Sequence, residues 1–549
     1  MEVVSSPAAA AARPLTLLDL PDDALSLVTR HLFQQVPHGH VPLFLTCKRL
    51  RDVGYASIRS VFFHCRISDK DTVVALHDED ALSTTLSVPK LLLDTAEGAA
   101  LQALLRSTLG FLSHVHWVRD VTIHDGTRNG DRSVPVLQRT GLAFIFYAMV
   151  LPEVRRLPLS SLSVSWVAVK LLKGPPMSTA PLRRLTLDQI EDEPAWNDAV
   201  RSVLGHHGHT LRELDLSGVV RDAQDTSAAY NVGPWLAASG GMPNLNSLRL
   251  HRLDVEELAA MAVATYCPAL TKLTVDAQVY PYVGAALRYP AALPLLADVT
   301  WETESDATAA TAELVPLLVG RSLAKLRLPT MYGGDEPPNP HLVPALAGAA
   351  ALPADLSLMF CGALDDAHLS DLFEGAPATA SVSALTLTLH RSVTAAGLRR
   401  LGGLPALTRL KVLCPPVAGG TDLRLDAWPV GAPLTDLTVY GLGRPAAGRT
   451  VVDLLRGLSR SSARHSLQQL ETGGQELTET DAAGLLAALP RLRVLHYEVR
   501  DETGQALRFH DADESLAAGR RMAAWLRRRL PHVALPFHFT RSADAVASP

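Results

Sequence analysis

The chain reads as an α/β solenoid: short parallel strands stacked into a curved inner sheet, helices outside, and a small helical motif in front. Three observations carry this reading. The first is an apolar frame, Leu-x-x-Leu-x-Leu, that recurs along most of the sequence. The second is the helix-patterned text between copies, as in "DVEELAAMAVATYCP", where Val255, Leu258, Ala262 and Tyr266 share one helical face. The third is residues 15–58, which carry a helical stripe at Leu25, Val28 and Leu32 and a second apolar–basic helical pattern from about Pro42 to Ile58.

Taken in order, the start "MEVVSSPAAAAARP" has neither a basic region nor a long apolar core, so it does not read as a signal peptide. Residues 1–13 are expected to form a disordered tail. In the helical motif, 14–62, Leu25, Val28 and Leu32 fall on one stripe, and Pro21, Asp22 and Asp23 suit a helix start. A second helix is expected from Pro42 to Ile58, with Leu43, Leu50 and Val53 on one side and Lys48, Arg49 and Arg51 bringing charge. Residues 63–85 are expected as a linker, 86–510 as the repeats and 511–549 as a capping segment. In that last segment Leu516, Met522, Trp525, Leu526 and Leu530 are apolar and Arg527, Arg528 and Arg529 are cationic. Such a basic amphipathic helix could lie on a membrane surface, but a terminal repeat needs a cap with one polar face, and that reading is preferred.

The frame is clearest at Leu182/Leu185/Leu187, Leu211/Leu214/Leu216, Leu245/Leu248/Leu250, Leu270/Leu273/Val275, Leu407/Leu410/Val412 and Leu434/Leu437/Val439. Counting weaker copies, fifteen begin at 88, 118, 159, 182, 211, 245, 270, 296, 323, 353, 382, 407, 434, 467 and 492. In each, Leu-x-Leu makes a strand with one apolar face. One strand and one helix cannot enclose a core, whereas stacked units can. Pro268, Pro405 and Pro490 stop the helices before the strands begin.

The mean spacing is about 29 residues, at the upper end of the roughly 20–29-residue period of leucine-rich repeats. The sequence resembles that class over about 88–500, and "YCPALTKLTV" resembles the Cys-Pro variant found in F-box proteins. The motif ahead of it resembles an F-box. Leu20-Pro21-Asp22-Asp23 matches the family's opening, Leu25, Val28 and Leu32 match its helix spacing, and Cys47-Lys48-Arg49 matches its "C-K-R" segment. Leu50 stands where the family usually has an aromatic, and the link "FQQVPHGHVP" is longer than usual. The resemblance implies a non-catalytic substrate receptor of a Skp–cullin–F-box ubiquitin ligase. Leu20, Pro21, Leu25, Val28, Leu32, Cys47 and Leu50 would then face a Skp-type adaptor, which joins the chain to the cullin ligase core. Two other readings stay open: residues 15–60 as a simple cap on the first repeat, and the whole chain as a leucine-rich-repeat scaffold with no ligase link.

Composition narrows the alternatives. A net charge of −5 gives no reason to expect nucleic acid. The five cysteines, Cys47, Cys65, Cys267, Cys361 and Cys414, are scattered, which fits a reducing compartment, the cytoplasm or nucleus. The longest apolar run, "LAFIFYAMVL", is too short to span a bilayer. No nucleophile–base set, phosphate loop or cofactor motif stands out, and "GHHGH" at 205–209 lacks the convergent donors a metal needs.

The candidate binding residues are outward-facing strand positions and aromatic anchors in long inserts. They are Arg249, Lys272, Lys325, Arg327, Arg409, Lys411 and Tyr440 on strands, with Tyr332 and Trp428 in the inserts 330–341 and 414–433. An unidentified protein substrate is the expected partner.

Overall fold

The computed structural model describes residues 60–67, 73–78, 81–88, 118–125, 147–148, 150–165, 167–190, 194–218, 232–251, 263–276, 293–302, 323–328, 342–358, 363–374, 377–390, 392–393, 395–401, 404–413, 433–440, 462–473 and 489–498, and single positions 21, 253, 318, 321 and 340. The chain forms two compact units, Met1–Asn246 with Thr265–Cys267, and Ser247–Ala264 with Pro268–Pro549.

In the first unit the frame residues Val121/Ile123, Leu162/Val164, Leu185/Leu187 and Leu214/Leu216 sit on four strands, β4 (Asp120–Asp125), β5 (Ser161–Ser165), β6 (Arg184–Ile190) and β7 (Glu213–Gly218). These pair in parallel, and Val121, Leu162, Leu185 and Leu214 stand in one register row. All four are buried, as the alternation requires. Three strands precede them: β1 (Ser60–Ile67), β2 (Val73–Asp78) and β3 (Ala81–Val88). β1 pairs in parallel with both β3 and β4, and β2 closes an antiparallel hairpin onto β3. The helices α1 (Val167–Lys170), α2 (Pro194–His207) and α3 (Val232–Ala238) fall between strands or after them. Trp196, Val200, Val203 and Leu204 make the buried stripe of α2. Trp235 of α3 donates its indole N–H to Asn197 Oδ1 at 2.8 Å, which joins the two helices.

The second unit is the same device, longer. Its strands are β8 (Ser247–His251), β9 (Lys272–Asp276), β10 (Asp298–Glu302), β11 (Lys325–Arg327), β12 (Asp355–Leu358), β13 (Ala384–Thr388), β14 (Arg409–Leu413), β15 (Asp436–Tyr440), β16 (Gln469–Gly473) and β17 (Val494–Glu498). Every neighbour in this series pairs in parallel. Leu248, Leu273, Val299, Leu326, Leu356, Leu385, Leu410, Leu437, Leu470 and Leu495 form one unbroken register row. Between strands lie α4 (Leu342–Ala347), α5 (Asp366–Phe373) and α6 (Ala395–Leu401). Asp365 caps α5, accepting the N–H groups of Ala367 and His368 at 3.0 Å each. Arg400 of α6 donates to the Asp366 carbonyl at 2.7 Å and meets Glu374 at 3.1 Å, so consecutive helices are tied as the strands are.

A recurring clamp pins the register in the second unit. At the entrance to a strand, two successive N–H groups donate to one carbonyl of the preceding repeat. Ser383 and Ala384 share Ala354 O, Thr408 and Arg409 share Ser383 O, and Thr435 and Asp436 share Thr408 O. Hydroxyls repeat the bond: Ser383, Thr408 and Thr435 each donate to that same carbonyl, at 3.0–3.1 Å. A one-residue slip would break all of these and turn the leucines outward.

Two expectations need revision in the first unit. The copy at Val88 opens no strand; Val88 ends β3. The preceding frame is instead Ile58/Val61/Phe63, and Val61 and Phe63 stand in register with Val121 and Ile123 on β4. The segment 63–85, expected as a linker, holds most of β1, all of β2 and most of β3, and the boundary set at 62 falls inside β1. Among the described residues no helix is long and apolar enough to cross a membrane.

Candidate protein-interaction face

Where side chains are described, the frame residues of these strands are buried, so the residues between them make the other face of the sheet. In the second unit they fall into two rows. One row runs Lys272, Asp298, Lys325, Asp355, Ala384, Arg409, Asp436. Charge alternates along it, which is the arrangement neighbouring strands favour. Lys325 Nζ lies 4.0 Å from Asp298 Oδ2 and 3.8 Å from Asp355 Oδ2. Ala384 projects little beyond the backbone, and Arg409 reaches past it to within 3.9 Å of Asp355 Oδ2. Asp355 thus serves two cations.

The other row is rich in hydroxyls. It runs Arg249, Thr274, Thr300, Arg327, Ser357, Thr386, Lys411, Thr438, Glu471, His496. A cation stands on every third strand from β8 to β14, with two hydroxyl side chains between. Arg327 is exposed, whereas Arg249 and Lys411 are half-buried and Thr274 is buried. Past Lys411 the row turns acidic at Glu471, which accepts from the Thr438 hydroxyl at 3.3 Å.

The first unit has a smaller version. Ser60, Asp120, Ser161, Arg184 and Glu213 share a row. Arg184 forks onto Glu213 at 2.6 and 3.1 Å, and the bond holds its guanidinium pKa above the usual value. Burial pushes the Asp120 carboxyl up, against the opposing pull of Arg184 and a 3.5 Å bond from the Ser60 hydroxyl.

The strand candidates are therefore brought together in part. Lys325 and Arg409 are spent on Asp355, Arg327 and Lys411 flank the hydroxyl pair, Lys272 is exposed on β9, and Arg249 lies farther along the same row. Tyr440 ends β15. Tyr332 and Trp428 lie outside the described residues, as do Leu20, Leu25, Val28, Leu32, Cys47 and Leu50; Pro21 is described and exposed. Asp355, Ser357 and Thr386 were missed from sequence. The frame Leu356/Leu358 puts Asp355 and Ser357 outward, but that copy opens on Pro353 and is easily passed over.

The "GHHGH" stretch has a packing explanation. His207 is buried, and its Nε2 accepts the Met177 N–H at 3.0 Å. His206 Nε2 lies 2.9 Å from the Gly174 carbonyl. A Cβ on Gly208 would come within 2.5 Å of Ser239 Cβ, so glycine lets the end of α2 abut the residue after α3. Among the described residues no group of three or more His, Cys, Asp or Glu could hold a metal. Cys267 is buried in the slot that Met242, Leu404 and Leu489 fill in other repeats, and burial pushes its thiol up to about 12. That thiol is a core residue, not a nucleophile.

No family model matches the sequence, and no curated protein matches it. Among solved structures, the crystal structure of the Rad7 and Elc1 complex in yeast aligns at 14% identity. The alignment covers 66% of this chain and 82% of that one with a TM-score of 0.34, a likeness too loose to bear on function.

Proposed function

We propose that the chain is the substrate-recognition subunit of a Skp–cullin–F-box ubiquitin ligase. The observation that carries this is one of arrangement: an F-box-like motif, Leu20-Pro21-Asp22-Asp23 with Leu25, Val28 and Leu32, precedes a sheet of in-register repeats whose outer face is polar and charged. The motif would hold a Skp-type adaptor, and the face a protein substrate. Carrying both on one chain raises their effective concentration, and catalysis belongs to the bound ligase. The chain itself is not an enzyme, uses no cofactor, and works in the cytoplasm or nucleus.

Co-expression with a Skp-type adaptor tests this. The pair should co-purify, and Leu20→Ala with Pro21→Ala should abolish it, since losing a buried apolar anchor typically costs about 2 kcal/mol or more, roughly thirtyfold in affinity. Wild-type protein that ignores the adaptor at micromolar concentration would leave the plain repeat scaffold as the account.

A further inference from the structure

The outer face of the second unit names a partner chemistry. It is strongest over β11–β14, where the register sets Arg327, Ser357, Thr386 and Lys411 side by side. Adjacent strands lie about 4.8 Å apart, so the two cations are about 14 Å apart with two hydroxyls between them. The next row adds Lys325 and Arg409, with Asp355 as the one acid among the outward side chains of these strands. On these four strands Lys325, Arg327, Arg409 and Lys411 stand with Asp355, and Asp298 on the neighbouring strand also lies 4.0 Å from Lys325. Acidic side chains bound this stretch at Asp298 on one side and Asp436 and Glu471 on the other.

We infer that the face across β11–β14 receives an extended acidic segment of a partner protein, with two carboxylate side chains four residues apart. The inference rests on the reading of this face as the partner-binding face. An extended chain advances about 3.4 Å per residue, so four residues cover about 14 Å, the separation of Arg327 and Lys411. An even spacing also puts both carboxylates on the same side of the segment. The side chain midway between them meets Ser357 and Thr386 and has to be small or polar. Arg327 offers a planar fork to one carboxylate, and Lys411 a point charge to the other. One cation at each end suits a singly charged group better than a doubly charged phosphate. Among the described residues neither row carries an aromatic over β11–β14 on which a nucleic-acid base could stack.

The test uses the full chain and a labelled Gly-Ser peptide carrying two glutamates four residues apart, with fluorescence anisotropy at low ionic strength. The peptide should bind, and salt should weaken binding. Placing the glutamates side by side should weaken it, and glutamine in their place should abolish it. Arg327→Gln and Lys411→Gln should each cost about tenfold in affinity with an unchanged melting curve. Arg327 is exposed, so its replacement and the peptide series decide the matter even if the Lys411 variant folds poorly. Equal binding of all the peptides, no effect of Arg327→Gln, binding only of a phosphoserine version, or equal competition by a single-stranded oligonucleotide would each overturn the inference. Adaptor co-purification does not depend on this face, so its outcome stands apart from this one.

Discussion

His207 shows how one polar side chain can be structural. Its ring is buried, and its unprotonated Nε2 is the acceptor for Met177 N–H. Burial, and then the neighbours His206 and His209, push its pKa down to about 4 from 6.5. The unfolded chain therefore takes up the proton first. Stability from this group is complete above about pH 6.5 and is lost as pH falls toward about 4. Melting temperatures taken down that range should drop for the wild type, and His207→Gln, which keeps an acceptor but does not titrate there, should flatten this part of the profile. His207→Ala leaves the Met177 N–H unpaired and should cost about 1–3 kcal/mol at neutral pH. Two adjacent residues on opposite faces of one strand differ as sharply. Asp355 faces out among partly exposed ion pairs, so Asp355→Asn should change stability by less than about 1 kcal/mol. Its neighbour Leu356 is fully buried, and Leu356→Ala should cost about 2–5 kcal/mol in denaturant titrations.

The strands and helices depend on their neighbours in the same way. β1 covers one side of β4 and buries Val61 and Phe63. A truncated chain beginning at residue 86 would lose β1, β2 and most of β3 and bare a sheet edge, which invites aggregation. A chain beginning at residue 59 should stay monomeric by light scattering, whereas one beginning at 86 should not. Between helices, Gly208→Ala should destabilise the first unit despite alanine's better helix propensity, because its Cβ would collide with Ser239 and the Leu204 carbonyl. The strands were legible in the sequence because a Leu-x-Leu alternation states its own buried face, and the fourteen frames from Val118 to Leu492 each lead into one strand. β1 was not, because Ile58/Val61/Phe63 follows directly on a helical pattern and reads as its tail. The face was half legible. Arg327 and Lys411 are visible as outward charges, but the bond between Asp355 and Arg409 spans two strands, and only the register reveals it.

For the protein in its working assembly, the account assigns two separable attachments, an adaptor at the N-terminal motif and an acidic partner on the sheet face of the second unit. Separable attachments can be removed one at a time. The most direct measurement immobilises a Skp-type adaptor and asks whether the full chain carries the labelled glutamate peptide onto it. The account predicts that wild-type protein is retained and brings the peptide. It predicts that Arg327→Gln is retained but brings about tenfold less at limiting peptide, and that Leu20→Ala with Pro21→Ala is not retained while still binding the peptide in solution. Wild-type protein that passes over the adaptor unretained at micromolar concentration would contradict the ligase account.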